Sequence, residues 1–161
     1  MPPSPDSAVS AQFRVARILH AAMVSSLVVY AVIVYALRVV GWSPAMGAVQ
    51  VATLRWLLHG LGAAALVAVL VLKGRLLAAE AVGETARRAG AAAALATLQT
   101  RLVILMAVGE TAAILGLILF LLTAELTDFI VLWIAALLGL LAVTPRRELW
   151  DEVARSAGRP V

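Results

Sequence analysis

Glu110 is the residue whose type and position could do chemistry. It lies nine residues beyond Arg101 in an otherwise apolar run, about 13 Å along a helix axis at the usual rise per residue. A glutamate is too short to reach the membrane surface from that depth. We therefore expect Glu110 to be neutral, paired with another group, or facing a water-accessible cleft. It could bind and release protons, with Thr111 offering one further oxygen, or it could only donate a hydrogen bond to a neighbouring helix as a neutral acid.

Small residues near Glu110, and in the apolar run before it, form a pattern typical of closely packed membrane helices. They let two backbones approach, because they have little or no side chain at the contact. The candidate helix-packing residues are Gly60, Ala64, Ala68, Ala107, Gly109, Ala113 and Gly116.

The composition indicates that the helices around this site lie in a bilayer. Of the 161 residues, 63% are hydrophobic and only 14% are charged, with a mean hydropathy of +1.02. A soluble domain has about a quarter of its residues charged, so there are too few charges to coat a water-facing surface. The net charge of +4 comes from cations at the ends of apolar runs, without the interleaved aromatics of a nucleic-acid site. The absence of cysteine excludes disulfides and thiolate metal or cluster sites.

The hydropathy pattern predicts an all-α polytopic membrane protein. Residues 1–13 are expected to form a disordered cytoplasmic tail, residues 14–145 a four-helix membrane domain, and residues 146–161 an amphipathic cytoplasmic tail. An amino-terminal signal peptide is the rival interpretation of the first run, which is longer than the apolar part of such a peptide. The predicted spans are 18–40, 51–72, 102–123 and 129–144.

The connections between the spans also carry predictions. Pro44 and Pro145 end two of the helices, and Thr127 or Asp128 could cap the fourth. Glu84 and Arg88 are spaced as a favourable i, i+4 pair, which indicates that the polar connection between the second and third spans is largely helical.

The distribution of cations predicts the orientation. Arg38 and Arg55 lie on one side of the predicted bilayer, whereas eleven of the thirteen Lys and Arg residues lie on the other. Positive residues concentrate on the cytoplasmic side, so both termini are expected in the cytoplasm and the protein in the plasma (inner) membrane. The eleven are Arg14, Arg17, Lys73, Arg75, Arg87, Arg88, Arg101, Arg146, Arg147, Arg155 and Arg159. Arg55 is expected to extend its long side chain to the outer interface.

The segment after Pro145 predicts a short amphipathic helix. Leu149, Trp150 and Val153 fall on one of its faces. We expect this helix to rest at the cytoplasmic interface of the membrane, in preference to docking a partner protein.

Residues 86–122 resemble the polar loop and second helix of the proteolipid subunit c of rotary ATP synthases. Arg87 and Arg88 lead into a helix whose Glu110-Thr111 is followed by the run AILGL, residues 113–117, as in the family's ion-binding helix. The likeness extends over residues 58–123, with the second span similar to the family's first helix but lacking its repeating glycines. The resemblance implies a ring-forming or ring-derived protein in which Glu110 binds protons and packs near Ala68.

Three functions follow as predictions, and a small independent transporter ranks last because four helices with one carboxylate show no internal inverted repeat. The first is a structural or accessory subunit of a homo- or hetero-oligomeric membrane complex, built around the subunit c-like hairpin. The alternative is a ring-forming subunit that binds and translocates protons at Glu110. His20 and His59 lie towards opposite bilayer faces and cannot clamp one haem, so no cofactor or metal is predicted. No hydrolytic triad or phosphate-binding loop is present, and no enzymatic activity is predicted.

Overall fold

The computed structural model describes residues 5–44 and 48–157, and these residues form helices and short connections without strands. The helices are α1 Pro5–Val39, α2 Ala48–Leu76, α3 Ala79–Thr123, α4 Leu126–Ala142 and α5 Arg147–Ala157. α1, α2 and α3 are each long and apolar enough to cross a membrane, and α4 qualifies when it is joined to α5 across a 42° bend. These three to four apolar helices indicate a multi-pass membrane protein.

The first helix begins earlier than the sequence predicted. α1 starts at Pro5, so residues 5–13 are helical and are not part of a disordered tail. Pro suits the first turn of a helix because its missing N–H would have no partner there. Val9 is buried, and Phe13 lies edge-on to Trp150 of α5 with the ring centroids 6.4 Å apart, so packing stabilises this segment. Residues 1–4 and 158–161, also assigned to the tails, lie outside the described residues.

Two glycines with positive φ lie where helical geometry is interrupted, one after α1 and one within α3. Gly41, at φ 73°, follows α1, and the N–H of Trp42 donates to Leu37 across it, which satisfies a carbonyl of the last helical turn. Gly90, at φ 83° and ψ 168°, breaks α3 into an amino-terminal segment and a long apolar segment. An L-residue seldom adopts either conformation, so glycine is needed at both positions.

The polar connection before Gly90 is helical, as the sequence predicted. Arg88 Nε lies 2.6 Å from Glu84 Oε1, which confirms the predicted pair, and Arg87 lies 2.8 Å from the other oxygen. Hydrogen bonds from Arg87 and then Arg88 hold the pKa of the Glu84 carboxyl below its usual value. Arg101, further along α3, donates to the Leu76 carbonyl at the end of α2 over 2.9 Å and so joins the two helices at this end.

The predicted cap of the fourth helix was wrong. α4 begins at Leu126 after the N-cap Glu125, so Thr127 and Asp128 already lie within its first turn. The turn from α3 is only two residues long, because Ala124 takes a left-handed conformation at φ 58° and donates to the Phe120 carbonyl. Thr127 is exposed, and the Asp128 carboxylate makes a different contact, described below.

α3 lies at the centre of the fold and contacts each of the other four helices. Its apolar segment runs antiparallel to α4, and α1 and α2 pack on opposite sides of this α3–α4 pair. Within the described part of the chain, α1 and α2 are not in contact with each other. Both keep long rows of exposed apolar residues, as lipid-facing helices do, including Val28, Val32, Val67 and Leu70.

α5 packs against the protein itself. Trp150 and Val153 are fully buried in one core cluster with Val82 and Ala86 from the amino-terminal segment of α3. The apolar face of α5 is therefore covered by α1 and α3 and does not face lipid, whereas the position of this helix at the cytoplasmic interface stays a prediction.

Candidate functional site: the Glu110 carboxyl between two helices

The Glu110 carboxyl is bound by two hydroxyl groups of α1. Tyr30 donates to Glu110 Oε1 over 2.8 Å, and Ser26 donates to the same oxygen. Ser26 and Tyr30 are one helical turn apart, so both face α3 from a single side of α1. Glu110 is half-buried, and the three side chains form a polar contact between two otherwise apolar helices.

The hydroxyl of Ser26 allows Glu110 to be neutral without losing a hydrogen bond. Ser26 Oγ also lies 2.6 Å from the Met23 carbonyl, so its single proton has two acceptors within reach. If Glu110 carries its own proton, it can donate to Ser26 while Ser26 donates to Met23. Tyr30 continues to donate to Glu110 in that arrangement. The uncharged acid, which is the cheaper form inside a membrane, therefore keeps its hydrogen bonds to both hydroxyls.

Thr111 does not supply a second oxygen to Glu110 in this structure. Its hydroxyl donates to the Ala107 carbonyl over 3.0 Å, within its own helix. This is the common arrangement for a threonine that finds no polar partner on a neighbouring helix. The oxygens that accompany Glu110 belong instead to Ser26 and Tyr30, which the sequence analysis did not assign to the site.

Some of the predicted small residues lie at close helix contacts, mainly with α4. Gly109 faces Gly139, and a Cβ added at Gly109 would lie 3.6 Å from the Gly139 backbone. A Cβ at Gly116 would lie 2.9 Å from the Leu132 Cβ and 3.3 Å from the Phe129 carbonyl oxygen. Ala113 is fully buried in the core.

The remaining predicted packing residues are more open. Gly60, Ala64 and Ala107 are exposed, and Ala68 is half-buried. A Cβ added at Gly60 would meet no atom within 4 Å. The closest approach of α2 is made by Gly62, which lies against Leu132 of α4 and Ala112 of α3.

A second polar cluster joins α2 to α4 at the end of the bundle where α3 turns into α4. Arg55 Nε lies 2.7 Å from Asp128 Oδ2, and His59 Nε2 lies 3.6 Å from Asp128 Oδ1. Asp128 is 7% exposed, whereas the Arg55 side chain is 41% exposed. Arg55 thus pairs across helices, and the prediction that it only extends to the interface was incomplete. The i, i+4 spacing of Arg55 and His59 indicates that both lie on one face of α2, but the sequence alone did not identify Asp128 as the acid that they face.

The two histidines lie at opposite ends of the bundle and bind different groups. His20 Nε2 lies 3.0 Å from the Leu140 carbonyl near the end of α4, and His59 Nδ1 lies 2.9 Å from the Arg55 carbonyl. Across the ranges 5–44 and 48–157, no three His, Asp or Glu side chains converge as metal ligands would.

No protein-family model matches this chain, and no curated protein or solved structure matches it either.

Proposed function

We propose that this chain is a small structural or accessory integral membrane subunit, part of an oligomeric membrane complex, in which Glu110 ties α1 to α3. The observation that carries the proposal is that both hydroxyl donors to Glu110 belong to α1 of the same chain. The subunit c-like hairpin of the resemblance consists of α2 and the apolar segment of α3, and α1 is additional to it. A carboxyl engaged by its own chain suits a structural link between helices better than an exchange site at a ring surface.

The second candidate function is that of a proton-binding, ring-forming subunit that uses Glu110. It is favoured by the half-buried position of Glu110 near the middle of an apolar helix and by the two acceptors available to the Ser26 proton. Proton exchange would require Glu110 to leave Ser26 and Tyr30 or to pass its proton through them. The structural function is preferred because it needs no such rearrangement.

The proposed topology has four spans with both termini in the cytoplasm. Contacts along the bundle support it, because α1 and the apolar segment of α3 run in one direction while α2 and α4 run in the other. Ser26 meets Glu110, and Trp42, three residues beyond the end of α1, donates to the Leu121 carbonyl further along α3. α4, at 17 residues, is about 26 Å long, which is enough for a short fourth span.

Cysteine labelling tests this topology without background, because the chain contains no cysteine. In oriented vesicles, Thr127→Cys should react with a membrane-impermeant maleimide only from the outside and Glu152→Cys only from the cytoplasmic side. Both positions are exposed. Reaction of the two variants from the same side would contradict the four-span topology.

The surface of α2 supports the proposal that the chain associates with other subunits. Gly60 and Ala64 are exposed and four residues apart, the spacing at which small residues let two membrane helices approach. We expect mild detergent extraction from the native membrane to yield the chain together with several unrelated subunits, measured by native mass spectrometry. A large ring made only of this chain would refute the accessory function and favour the alternative.

A further inference from the structure

A cleft lined by three arginines lies where the start of α1 meets the start of α5. Arg14 and Arg17 come from α1, and Arg147 is the first residue of α5. The cleft has a volume of about 560 Å³, within the range of small-ligand sites. The other lining residues are Ser10, Phe13, Ile18 and Ala21, so the lining contains no acid among the side chains that the structure describes.

The charges of the described lining residues distinguish this arginine cleft from its neighbour. A larger cleft of about 850 Å³ on the other side of Arg147 is lined by Lys73 and Arg146 but also by Glu148 and Glu152, which offset the positive charge. The Asp151 carboxylate, outside the lining of the arginine cleft, lies 3.8 Å from Arg147 Nε, and the Arg147 side chain remains 64% exposed. Arg14 and Arg17 are also exposed, and Arg17 lies over the Phe13 ring at 6.0 Å.

The cleft is polar at one end and apolar at the other. Arg14 and Arg17 precede the predominantly apolar run of α1, which begins at Ile18. Ile18 is 61% exposed and Ala21 is exposed one turn further on, so the apolar end of the cleft continues along the lipid-facing side of α1. A ligand that filled this space would carry a negative charge next to the arginines and a hydrocarbon chain beside Ile18.

We propose that this cleft binds the phosphate of an anionic phospholipid, with an acyl chain lying along α1. Guanidinium groups bind phosphate oxygens through paired hydrogen bonds, and basic pockets at membrane helix ends recognise lipid headgroups in this way. The site requires only that α1 is in a bilayer, so it does not depend on the role of Glu110. Bound lipid would also hold α5 against the start of α1, because Arg147 comes from one helix and Arg14 and Arg17 from the other.

Native mass spectrometry of the detergent-purified full chain, titrated with phosphatidylglycerol or phosphatidylcholine, tests the proposal. We expect phosphatidylglycerol to bind at least tenfold more tightly. The double substitution Arg14→Gln and Arg17→Gln should weaken its binding about 25-fold, at about fivefold for each arginine near a headgroup. Arg87→Gln with Arg88→Gln removes the same charge outside the cleft and should leave the affinity unchanged.

If the double substitution disturbs α1, Arg147→Gln removes a cleft arginine from α5 instead and should also weaken phosphatidylglycerol binding. Circular dichroism and size-exclusion chromatography check that each variant is folded. Equal binding of the two lipids would overturn the proposal, as would undiminished phosphatidylglycerol binding by the folded variants. A parallel titration with inorganic phosphate distinguishes a lipid headgroup from a free phosphate ion as the natural ligand of the cleft. Competition by millimolar inorganic phosphate combined with no preference between the lipids would identify a soluble anion and overturn the lipid assignment.

Discussion

Asp128 is the most deeply buried charged residue among those that the structure describes, and its carboxylate links α4 to α2. Its carboxylate faces Arg55 and His59, which lie one turn apart on α2. Removing one partner of an ion pair leaves the other without compensation, which costs more than the net stabilisation from the intact pair. The cluster therefore specifies how these two helices are paired as well as stabilising them.

We predict that Asp128→Asn lowers the free energy of unfolding. The loss in a fully buried pair is about 3–5 kcal/mol. Since the Arg55 side chain is 41% exposed, screening reduces the expected loss to about 1–2 kcal/mol. Denaturant titration in detergent, followed by circular dichroism, measures it.

Glu125→Gln is the matched control, because Glu125 is an exposed acid three residues earlier in the chain. Its unfolding transition should stay within about 0.5 kcal/mol of the parent protein, as is usual for a surface substitution. Equal loss in the two variants would mean that the Arg55–Asp128 contact does not stabilise the bundle.

At this scale the sequence identified the unusual residue but not its neighbours. The depth of Glu110 follows from its distance to Arg101 along the chain, which needs no tertiary information. Ser26 and Tyr30 could not be assigned to it, because helical periodicity gives the face of a helix but not the helix that packs there. For the same reason Arg55 and Asp128 were each interpreted alone.

The helices themselves are held together by close backbone contacts on α4 as much as by polar groups. Gly109 and Gly139 face each other where α3 and α4 cross, and Gly116 lies against Leu132 and Phe129 one to two turns away. In a bilayer the apolar effect gives little preference between lipid and protein, so the closeness of such contacts decides which helices pair.

Gly116→Ala should destabilise the α3–α4 pair. Its new Cβ would lie 2.9 Å from Leu132 Cβ and 3.3 Å from the Phe129 carbonyl oxygen, atoms that cannot move without the α4 backbone. Overpacking of this kind costs about 1–3 kcal/mol. The same unfolding measurement in detergent reports the change.

Gly60→Ala is the control for that substitution, because a Cβ at Gly60 meets no atom within 4 Å. It should be neutral or stabilising by up to about 1 kcal/mol, since alanine favours the helix over glycine. If Gly60→Ala were the more damaging change in the isolated chain, the assignment of α4 as the close partner would be wrong.

Hydropathy predicted the apolar helices well but placed some of their ends poorly. The predicted spans fall within α1 to α4 or extend by one or two residues beyond them. The start of α1 at Pro5 was missed because residues 1–13 contain three prolines and several small polar residues, and the packing of Val9 and Phe13 against the rest of the chain is visible only in the structure. Similarly, the amphipathic face of α5 was visible in the sequence, whereas its burial against α1 and α3 depends on tertiary packing.

The molecule as a whole has a strongly charged end and a sparsely charged end. Because neighbouring helices alternate in direction, Arg17 of α1, Arg75 of α2 and Arg101 of α3 all lie at the same end as α5. The opposite end contains the Arg55–Asp128 pair. This asymmetry supports the proposed orientation, with the arginine-rich end in the cytoplasm.

At this scale the sequence could not distinguish a structural function from proton exchange, because the two require the same acid at the same depth. They differ in what surrounds it. An exchange site must expose its carboxyl to a proton path, whereas a structural acid keeps its hydrogen-bond partners. In this structure the partners are Ser26 and Tyr30 of α1, and the central claim is that they hold Glu110 permanently.

Carbodiimide modification, read at Glu110 by peptide mass spectrometry over a range of pH, tests this claim most directly. Glu110 should stay unmodified in the parent protein, because α1 engages its carboxyl, and it should become reactive when Ser26→Ala and Tyr30→Phe are combined. Glu110→Gln, which retains an acceptor for both hydroxyls, should fold and assemble normally. Ready modification of Glu110 in the parent protein that fades as the pH rises, unchanged by the two α1 substitutions, would contradict the structural function and favour proton exchange.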